Sequence, residues 1–313
     1  MRRGVGLAGL VAAWLLLTWP AWAHEGSLEE HLVDASEAEF SGQQLVVSWT
    51  PAGEVAEVYQ VRQGGGMLHI RHEGDQAMMG GGGLWDQGPE GWSRLQMAPP
   101  TAWQLSSRYR VVYQEANGSG SGPGRAVEEF EVWDGEALRA RFLFDGMTSI
   151  PLVTAVFAAD GSLYRMSSLS RISLGAPSPA QPASTKGRVV ERAEAVTLPR
   201  QVAGYGGAGA YGAPQGGVQV FYSDGLFSFS VFEVPGMVGP SAMQGASAIE
   251  MAGATYQVGF QPSEVWVIWS RPDYSYILVG DLPLDHLDEV LTELPGPRSS
   301  SLLSRFWHTL LGR

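Results

Sequence analysis

The amino-acid sequence predicts an α+β protein dominated by antiparallel β-strands. From His24 to about Ala38, apolar residues recur every three or four positions, as they do on one face of a helix. From Phe40 onward the period changes to two, which is typical of half-buried strands, and Gly- or Asp-rich segments separate the apolar runs. A helix followed by a series of strands, rather than strands alternating with helices, indicates the α+β class.

Two sets of predicted strands follow, each with apolar alternation bounded by turn-forming residues. In the first half they are Gln44–Thr50, Val55–Arg62, Met67–His72, Tyr109–Gln114, Val127–Trp133, Leu138–Phe144, Leu152–Phe157 and Ser162–Leu174. In the second half they are Val218–Ser223, Leu226–Val234, Ala248–Met251, Ala254–Val258, Val265–Ser270 and Tyr274–Gly280. A second helix is predicted over Leu284–Leu294, where leucine and valine form one stripe.

Composition divides the chain into five segments. Residues 1–23 are typical of a secretory signal peptide, with two arginines, an uncharged apolar core and an Ala-Trp-Ala cleavage site. Residues 24–174 are predicted to form an N-terminal domain, 175–188 a Pro- and Ser-rich linker, 189–295 a smaller C-terminal domain, and 296–313 a linker with an amphipathic tail. An uncleaved anchor is the alternative, but its apolar run of about 15 residues is shorter than the roughly 20 that a bilayer needs. We therefore expect an exported protein, periplasmic or otherwise extracytoplasmic.

Charge and cysteine content exclude several classes of function. The formal net charge is −12, and loss of Arg2 and Arg3 with the signal peptide would make it −14. Neutralising nucleic-acid phosphates requires clustered Lys and Arg, so no nucleic-acid partner is expected. The chain has no cysteine, which excludes thiol catalysis, zinc–thiolate sites and disulfides.

The stretch from Val218 to Pro235 is the most distinctive in the sequence. Asp-Gly is typical of a two-residue hairpin loop, and such a loop would pair Tyr222 with Phe227, and Val220 with Phe229. One face of the hairpin would then be strongly apolar and would need a cover. We expect a mainly structural role for its signature residues, which are Tyr222, Ser223, Asp224, Gly225, Phe229 and Phe232.

Motifs for catalysis or metal binding are weak. The glycine pattern at 204–209 matches a dinucleotide-binding fingerprint, but glycines continue to Gly217 and no helix can begin there, so a flexible loop is predicted. His69 and His72 would lie on opposite faces of a strand. No serine has the nucleophile-elbow pattern, although a triad distant in sequence would not be visible. We predict no enzyme activity, no metal and no cofactor.

Aromatic residues in the N-terminal half allow two interpretations. They are core residues, or some of them line an apolar cavity on one face of a curved sheet. A period of two fits both arrangements. The candidates for a ligand pocket are Trp49, Leu68, Ile70, Trp85, Trp92 and Trp103.

The last residues of the chain form an amphipathic pattern. A free helix this short is marginal in water, so its apolar stripe needs a surface. The stripe docks on the protein itself, or it contacts a membrane surface or a partner. The residues proposed for such a contact are Leu303, Phe306, Trp307 and Leu310.

Four phrases resemble one known family. YSDGL at Tyr222–Leu226 and SVFE at Ser230–Glu233 resemble the C-terminal-domain signature of the MucB/RseB family of sigma-E regulatory proteins. The stretch Phe142–Leu174 resembles the end of that family's N-terminal domain, and Ala254–Pro283, which ends in VGDLP, resembles its closing strand before the final helix.

The resemblance implies a fold and a function. The N-terminal domain is expected to be a curved antiparallel half-barrel with helices, like the lipoprotein carriers LolA and LolB, followed by a smaller α/β domain. The implied function is non-enzymatic: binding the extracytoplasmic part of a membrane-spanning anti-sigma factor and controlling its proteolysis, with lipid as a possible signal. The alternative is an exported carrier of lipid or lipoprotein.

Overall fold

The computed structural model describes residues 26–51, 53–64, 67–72, 84–88, 91–95, 105–115, 126–175, 197–212, 217–236, 246–261 and 264–297, with backbone alone between 67 and 95. These residues form two antiparallel sheets and two helices. The predicted α+β class is confirmed. The proposed signal peptide, most of the linker and most of the tail lie outside the described residues.

The first sheet has ten strands in the order β4-β5-β3-β2-β1-β10-β9-β8-β7-β6. Every neighbouring pair is antiparallel, and β4 and β6 are the two edges. Its strands are β1 (Phe40–Thr50), β2 (Gly53–Gly64), β3 (Met67–His72), β4 (Leu84–Gly88), β5 (Gly91–Leu95), β6 (Tyr109–Glu115), β7 (Val127–Asp134), β8 (Ala137–Asp145), β9 (Pro151–Phe157) and β10 (Leu163–Leu174).

Helix α1 (Leu28–Glu37) covers one face of the first sheet, which we call the α1 face. A capping box starts the helix: the Glu30 amide donates to the Ser27 hydroxyl oxygen, and the Ser27 amide donates to the Glu30 carboxylate. Leu28 is buried against Phe130 and Phe144, and Gln63 donates its amide hydrogen to the Ala35 carbonyl. The helix therefore lies across the sheet, from β7 and β8 to β2.

The second sheet has eight strands in the order β11-β12-β13-β14-β18-β17-β16-β15. Its strands are β11 (Gln201–Val202), β12 (Tyr205–Gly212), β13 (Val218–Ser223), β14 (Ser228–Pro235), β15 (Ser247–Met251), β16 (Ala254–Gln261), β17 (Glu264–Ser270) and β18 (Tyr274–Gly280). Helix α2 (Leu284–Glu293) packs Leu287, Val290 and Leu291 on one face of this sheet, which we call the α2 face. Neither helix of the described chain is long and apolar enough to span a membrane.

The glycine-rich segment at 204–217 was predicted as a loop, and for its first part this is wrong. Tyr205–Gly212 is strand β12, paired with β13. A Cβ on Gly209 would lie 2.5 Å from the hydroxyl oxygen of Tyr211, so glycine leaves room for this ring against the strand. Composition alone indicated flexibility, whereas packing against Tyr211 and pairing with β13 make the segment a strand.

Candidate functional site at the junction of the two sheets

The turn between β13 and β14 differs from the predicted two-residue loop. Ser223 pairs with Ser228, so four residues, Asp224 to Phe227, connect the strands, and the register is displaced by two residues. Tyr222 pairs with Phe229 rather than with Phe227. A displacement of two keeps every side chain on its predicted face, so the apolar face of the hairpin survives the correction.

The side chain of Asp224 is the physical reason for the longer turn. Its Oδ1 accepts hydrogen bonds from the amides of Leu226 (3.0 Å) and Phe227 (2.8 Å). The carboxylate thus takes the Phe227 amide, which in a tight hairpin turn would donate to the Asp224 carbonyl, while the Asp224 amide still donates to the Phe227 carbonyl at 3.2 Å. Gly225 has φ +89°, a conformation that glycine adopts without strain.

The second carboxylate oxygen of Asp224 joins the two sheets. Oδ2 accepts a hydrogen bond from the Tyr109 hydroxyl at 2.6 Å, and the Asp224 carbonyl accepts one from the Ser106 amide at 2.7 Å. Asp224 is only 4% exposed, and this burial raises its pKa, opposed by the hydrogen bond from Tyr109. Burial also raises the pKa of Tyr109, with the Asp224 charge as a further cause. The tyrosine therefore remains the donor.

Two β-bulges direct side chains of the first sheet toward the second. Where β8 pairs with β7, Arg139 is the extra residue; where β10 pairs with β9, Tyr164 is the extra residue. A bulge redirects the side chain that it displaces. Arg139, 1% exposed, lies 2.8 Å from an Asp285 carboxylate oxygen, and the Tyr164 hydroxyl donates to the Leu282 carbonyl at 3.0 Å.

Asp281, which follows β18 of the second sheet, contacts residues of both sheets. Its Oδ1 accepts a hydrogen bond from the Ser228 amide at 2.6 Å, and its amide donates to the Ser228 carbonyl. Arg165 of the first sheet lies 3.6 Å from the other carboxylate oxygen. The neighbouring Tyr164 packs in the core of the second sheet, so one apolar core crosses the junction beneath these polar contacts.

The first turn of α2 contributes a buried histidine. The ring of His286 lies edge-on to Phe227 at 5.0 Å, and Nδ1 is 2.5 Å from the Tyr205 hydroxyl. Burial lowers the pKa of His286 to about 4, and the nearby positive charge of Arg139 acts in the same direction. The imidazole is therefore neutral at neutral pH and completes the polar cluster without an added charge.

A serine, a histidine and a glutamate meet under α1. His31 Nε2 contacts the Glu128 carboxylate, and His31 Nδ1 lies 3.4 Å from the Ser149 hydroxyl. Sequence patterns could not reveal this trio, because His31 is 97 residues from Glu128 and 118 residues from Ser149. Ser149 also has φ +52°, an uncommon conformation for a residue other than glycine.

Three backbone amides of the turn that carries Ser149 are already engaged by Asp145. The amides of Met147 and Thr148 donate to the Asp145 carboxylate, and the amide of Ser149 donates to the Asp145 carbonyl. Serine hydrolysis needs amide donors aimed at the developing oxyanion. The trio instead ties α1 to the first sheet, since His31 is 2% exposed and packs against Phe130 and Phe144.

The predicted pocket residues divide between two faces of the first sheet. By register, Leu68 and Ile70 of β3 lie opposite Gln63 and Val61, on the α1 face. Ile70 is opposite Trp92 of β5. Trp85 of β4 also lies on the α1 face by register.

Trp49 does not share that face. It lies on β1 opposite Glu54, on the face away from α1, and it is half-buried. Trp103 lies outside the described residues, as do Leu303, Phe306, Trp307 and Leu310 of the tail. The described residues contain no group of three or more His, Asp or Glu positioned to hold a metal.

Sequence reasoning singled out the hairpin but missed its partners. Tyr109, Arg139 and Tyr164 were treated as ordinary strand residues, because a bulge leaves no mark in apolar periodicity. The sequence carries no signal that these three residues meet the Asp-Gly turn. Asp281 belongs to the phrase VGDLP, but the phrase does not indicate its contact with Ser228.

The chain has similarity to solved structures but to no family model. No family model matches the chain, and no curated protein matches it. The chain is similar to MucB. A chain of the Pseudomonas aeruginosa MucA/MucB complex matches with 19% identity and a TM-score of 0.45, covering 87% of this chain and 99% of its own length. A crystal structure of MucB matches with 21% identity and a TM-score of 0.45, covering 84% and 94%.

A LolA superfamily protein from Nitrosomonas europaea matches with 10% identity and a TM-score of 0.20, covering 84% of this chain and 97% of its own. Three of the four phrases that resemble the family contain an aspartate with a defined contact. Asp145 holds the turn under α1, Asp224 holds the hairpin turn and Tyr109, and Asp281 holds Ser228.

Proposed function

We propose that this protein is an exported, non-enzymatic regulator that binds the extracytoplasmic segment of a membrane-spanning anti-sigma factor and controls its proteolysis. The observation that carries the proposal is the position of the family-like phrases. Asp224 and Asp281 belong to those phrases, and both fix the second sheet against the first. In this chain, residues of the family-like phrases therefore hold the two sheets together, which supports the two-sheet fold that the resemblance implies.

The contacts of the described residues favour binding over catalysis. Arg139 lies 2.8 Å from Asp285 and over the ring of Phe227, and His286 packs edge-on against the same ring. At the Ser149–His31–Glu128 trio, the amides of Met147, Thr148 and Ser149 donate to Asp145 and are therefore not available to an oxyanion. The proposed partner follows from MucB, a structure of which is described as a complex with MucA.

The direct test is binding to a purified partner segment. The probe is the extracytoplasmic segment of a single-span anti-sigma factor encoded beside a sigma factor in the same genome. We expect calorimetry to detect a complex at micromolar concentration, and proteolysis of the segment to slow when the protein is added. Absence of binding by a folded protein at that concentration would reject the proposal.

One observation favours the alternative, a carrier of lipid or lipoprotein. The register brings Leu68, Ile70, Trp85 and Trp92 to a common face of β3, β4 and β5, as a pocket for an acyl chain requires. Mass spectrometry of natively purified protein would then detect bound acyl species. A protein without ligand that also fails to take up a fluorescent fatty acid would exclude the carrier function.

A further inference from the structure

The second sheet has an apolar face that neither described helix covers. We call it the far face, because α2 packs on the opposite side. Two rows of cross-strand neighbours run across it: Phe232 pairs with Ile277, which pairs with Ile268, and next to them Val279 pairs with Trp266. Phe221 extends the second row on β13, opposite Ser230.

The middle of this face is accessible. Phe232, Ile277 and Val279, on the two central strands, are half-buried, whereas Trp266 and Ile268 are 8% and 7% exposed. Trp266 lies flat over Gly259, where an added Cβ would be 2.0 Å from its ring. The ring is thus held down on the sheet and leaves a shallow apolar strip along β14 and β18.

We infer that the C-terminal segment Leu302–Leu311 docks on the far face as an amphipathic helix. Its six large apolar residues fall on one side of a helix and match the apolar strip in character. A helix of ten residues is marginal in water unless its apolar side packs on something. The inference concerns the chain itself and does not depend on the proposed anti-sigma function.

The chain leaves α2 near the end of the β17–β18 hairpin, close to the rim of the second sheet. Trp269 donates its indole hydrogen to the Pro295 carbonyl at 2.7 Å, and an added Cβ on Gly296 would be 3.7 Å from the Tyr256 hydroxyl. The chain therefore leaves α2 above Trp269, one residue pair from Ile268 and Ile277 but on the opposite face. Ser270 and Ser275 close this hairpin, so the rim of the sheet is near.

The connecting residues are long enough to pass this rim. From Gly296 to Leu302 an extended chain spans about 20 Å. Two residue pairs along the hairpin cover about 7 Å, and the thickness of one packed layer is about 10 Å. Leu302 can therefore reach the far face beside Ile277.

Charge favours docking on this protein. The segment from Arg298 to Arg313 contains three arginines and no acidic residue, whereas the whole chain has a net charge of −12. Arg305 and His308 lie away from the apolar stripe. They would face the solvent, where the net negative charge of the protein attracts them.

Engineered cysteines give a clean test, because the natural chain has none. Ile277→Cys would be combined in the full-length protein with Leu303→Cys, Phe306→Cys or Leu310→Cys on the stripe. The matched controls are Ile277→Cys with Arg305→Cys or His308→Cys. A distant control combines Leu45→Cys with Phe306→Cys. Leu45 belongs to the first sheet and is 38% exposed.

We expect at least one stripe pair to form an intramolecular disulfide roughly tenfold faster than the controls, because docking raises its effective concentration. Equal rates in all pairs, or no disulfide in a protein whose circular dichroism is unchanged, would overturn the inference. Disulfide-linked dimers from the stripe pairs would assign the face to a second copy instead.

A second measurement examines the membrane alternative. The full-length protein would be sedimented with phosphatidylglycerol vesicles, alongside a chain that ends at Pro297. We expect both forms to remain in the supernatant, and the shortened form to bind more of a dye that reports exposed apolar surface. Vesicle binding that depends on Leu302–Arg313, without the disulfide, would overturn the inference.

Discussion

Tyr109 and Asp224, 115 residues apart in sequence, join the two sheets through a hydrogen bond of 2.6 Å. The same carboxylate accepts two amides of its own turn, so one side chain both shapes the hairpin and fixes its position on the first sheet. A buried carboxylate stabilises the fold only when its acceptors are satisfied. The relationship makes the junction sensitive to single substitutions on either sheet.

Tyr109→Phe removes the donor and leaves a buried carboxylate oxygen without its partner. We expect the free energy of unfolding to fall by about 1–3 kcal/mol. Urea denaturation measures the change. The control is Tyr113→Phe on the same strand, where the ring is 50% exposed, and there we expect a change within about 0.5 kcal/mol. Equal losses in the two variants would contradict the role assigned to Asp224.

Asp285→Ala and Arg139→Met should have unequal effects. Arg139 is 1% exposed, so loss of Asp285 leaves a buried positive charge, at a cost of about 3–5 kcal/mol. Asp285 is 34% exposed and can regain water when Arg139 is replaced, so that variant should lose less. The double variant should then resemble Arg139→Met alone. Additive losses in a double-mutant cycle would show that the two groups do not interact.

His286 gives the junction a pH dependence. Its pKa is about 4 in the folded protein and about 6.5 when unfolded, so the unfolded chain binds a proton first as the pH falls. The contribution of His286 to the free energy of unfolding is therefore complete above pH 6.5. It decreases by roughly 3 kcal/mol as the pH falls to 4.

His286→Gln is the control for this pH dependence. Arg139 and Arg108 disfavour the imidazolium, Asp285 and Asp134 favour it, and Asp224 has a raised pKa that acts with the opposite sign. Subtracting the urea stability of the variant from that of the natural protein at each pH isolates the histidine. A difference that does not vary between pH 4 and 6.5 would contradict the buried neutral state.

Gly259→Ala should disturb the far face of the second sheet. The added Cβ would lie 2.0 Å from the ring of Trp266, so the indole must move, at a cost of about 1–3 kcal/mol. Gly206→Ala is the matched control, because a Cβ there meets only the Ser223 carbonyl at 3.9 Å. We expect a blue or red shift of tryptophan emission for Gly259→Ala alone. An unchanged spectrum and stability would mean that Trp266 does not lie on Gly259.

Most strands were predictable, because one-sided burial leaves a period of two in the sequence. Val265–Ser270 and Tyr274–Gly280 are strands as predicted, and α2 begins where the Leu/Val stripe begins. Strands β4 and β5 were not predicted. Strand Tyr205–Gly212 was also missed. Its glycines are compatible with a loop, and they are equally compatible with a strand on which an aromatic ring packs closely.

The contacts of the hairpin turn with the first sheet could not be predicted from the local sequence. Asp224-Gly225 predicted a turn at the correct place. The second carboxylate oxygen of Asp224, however, receives its hydrogen bond from Tyr109 of the other sheet, and the local sequence does not indicate this. The two bulges are similar. The apolar periodicity of β8 and β10 does not distinguish Arg139 or Tyr164 from their neighbours. The side chain that each bulge redirects finds its contact only in the second sheet.

The sequence by itself determined the class of the fold, the faces of most strands and the acidic, cysteine-free character of the protein. These properties depend on spacing and composition, which are local. The tertiary structure decided the register of the hairpin, the junction built from Tyr109, Arg139 and Asp224, and the trio of Ser149, His31 and Glu128. Buried polar groups must find partners, and only the packing of distant segments determines which partners are within reach.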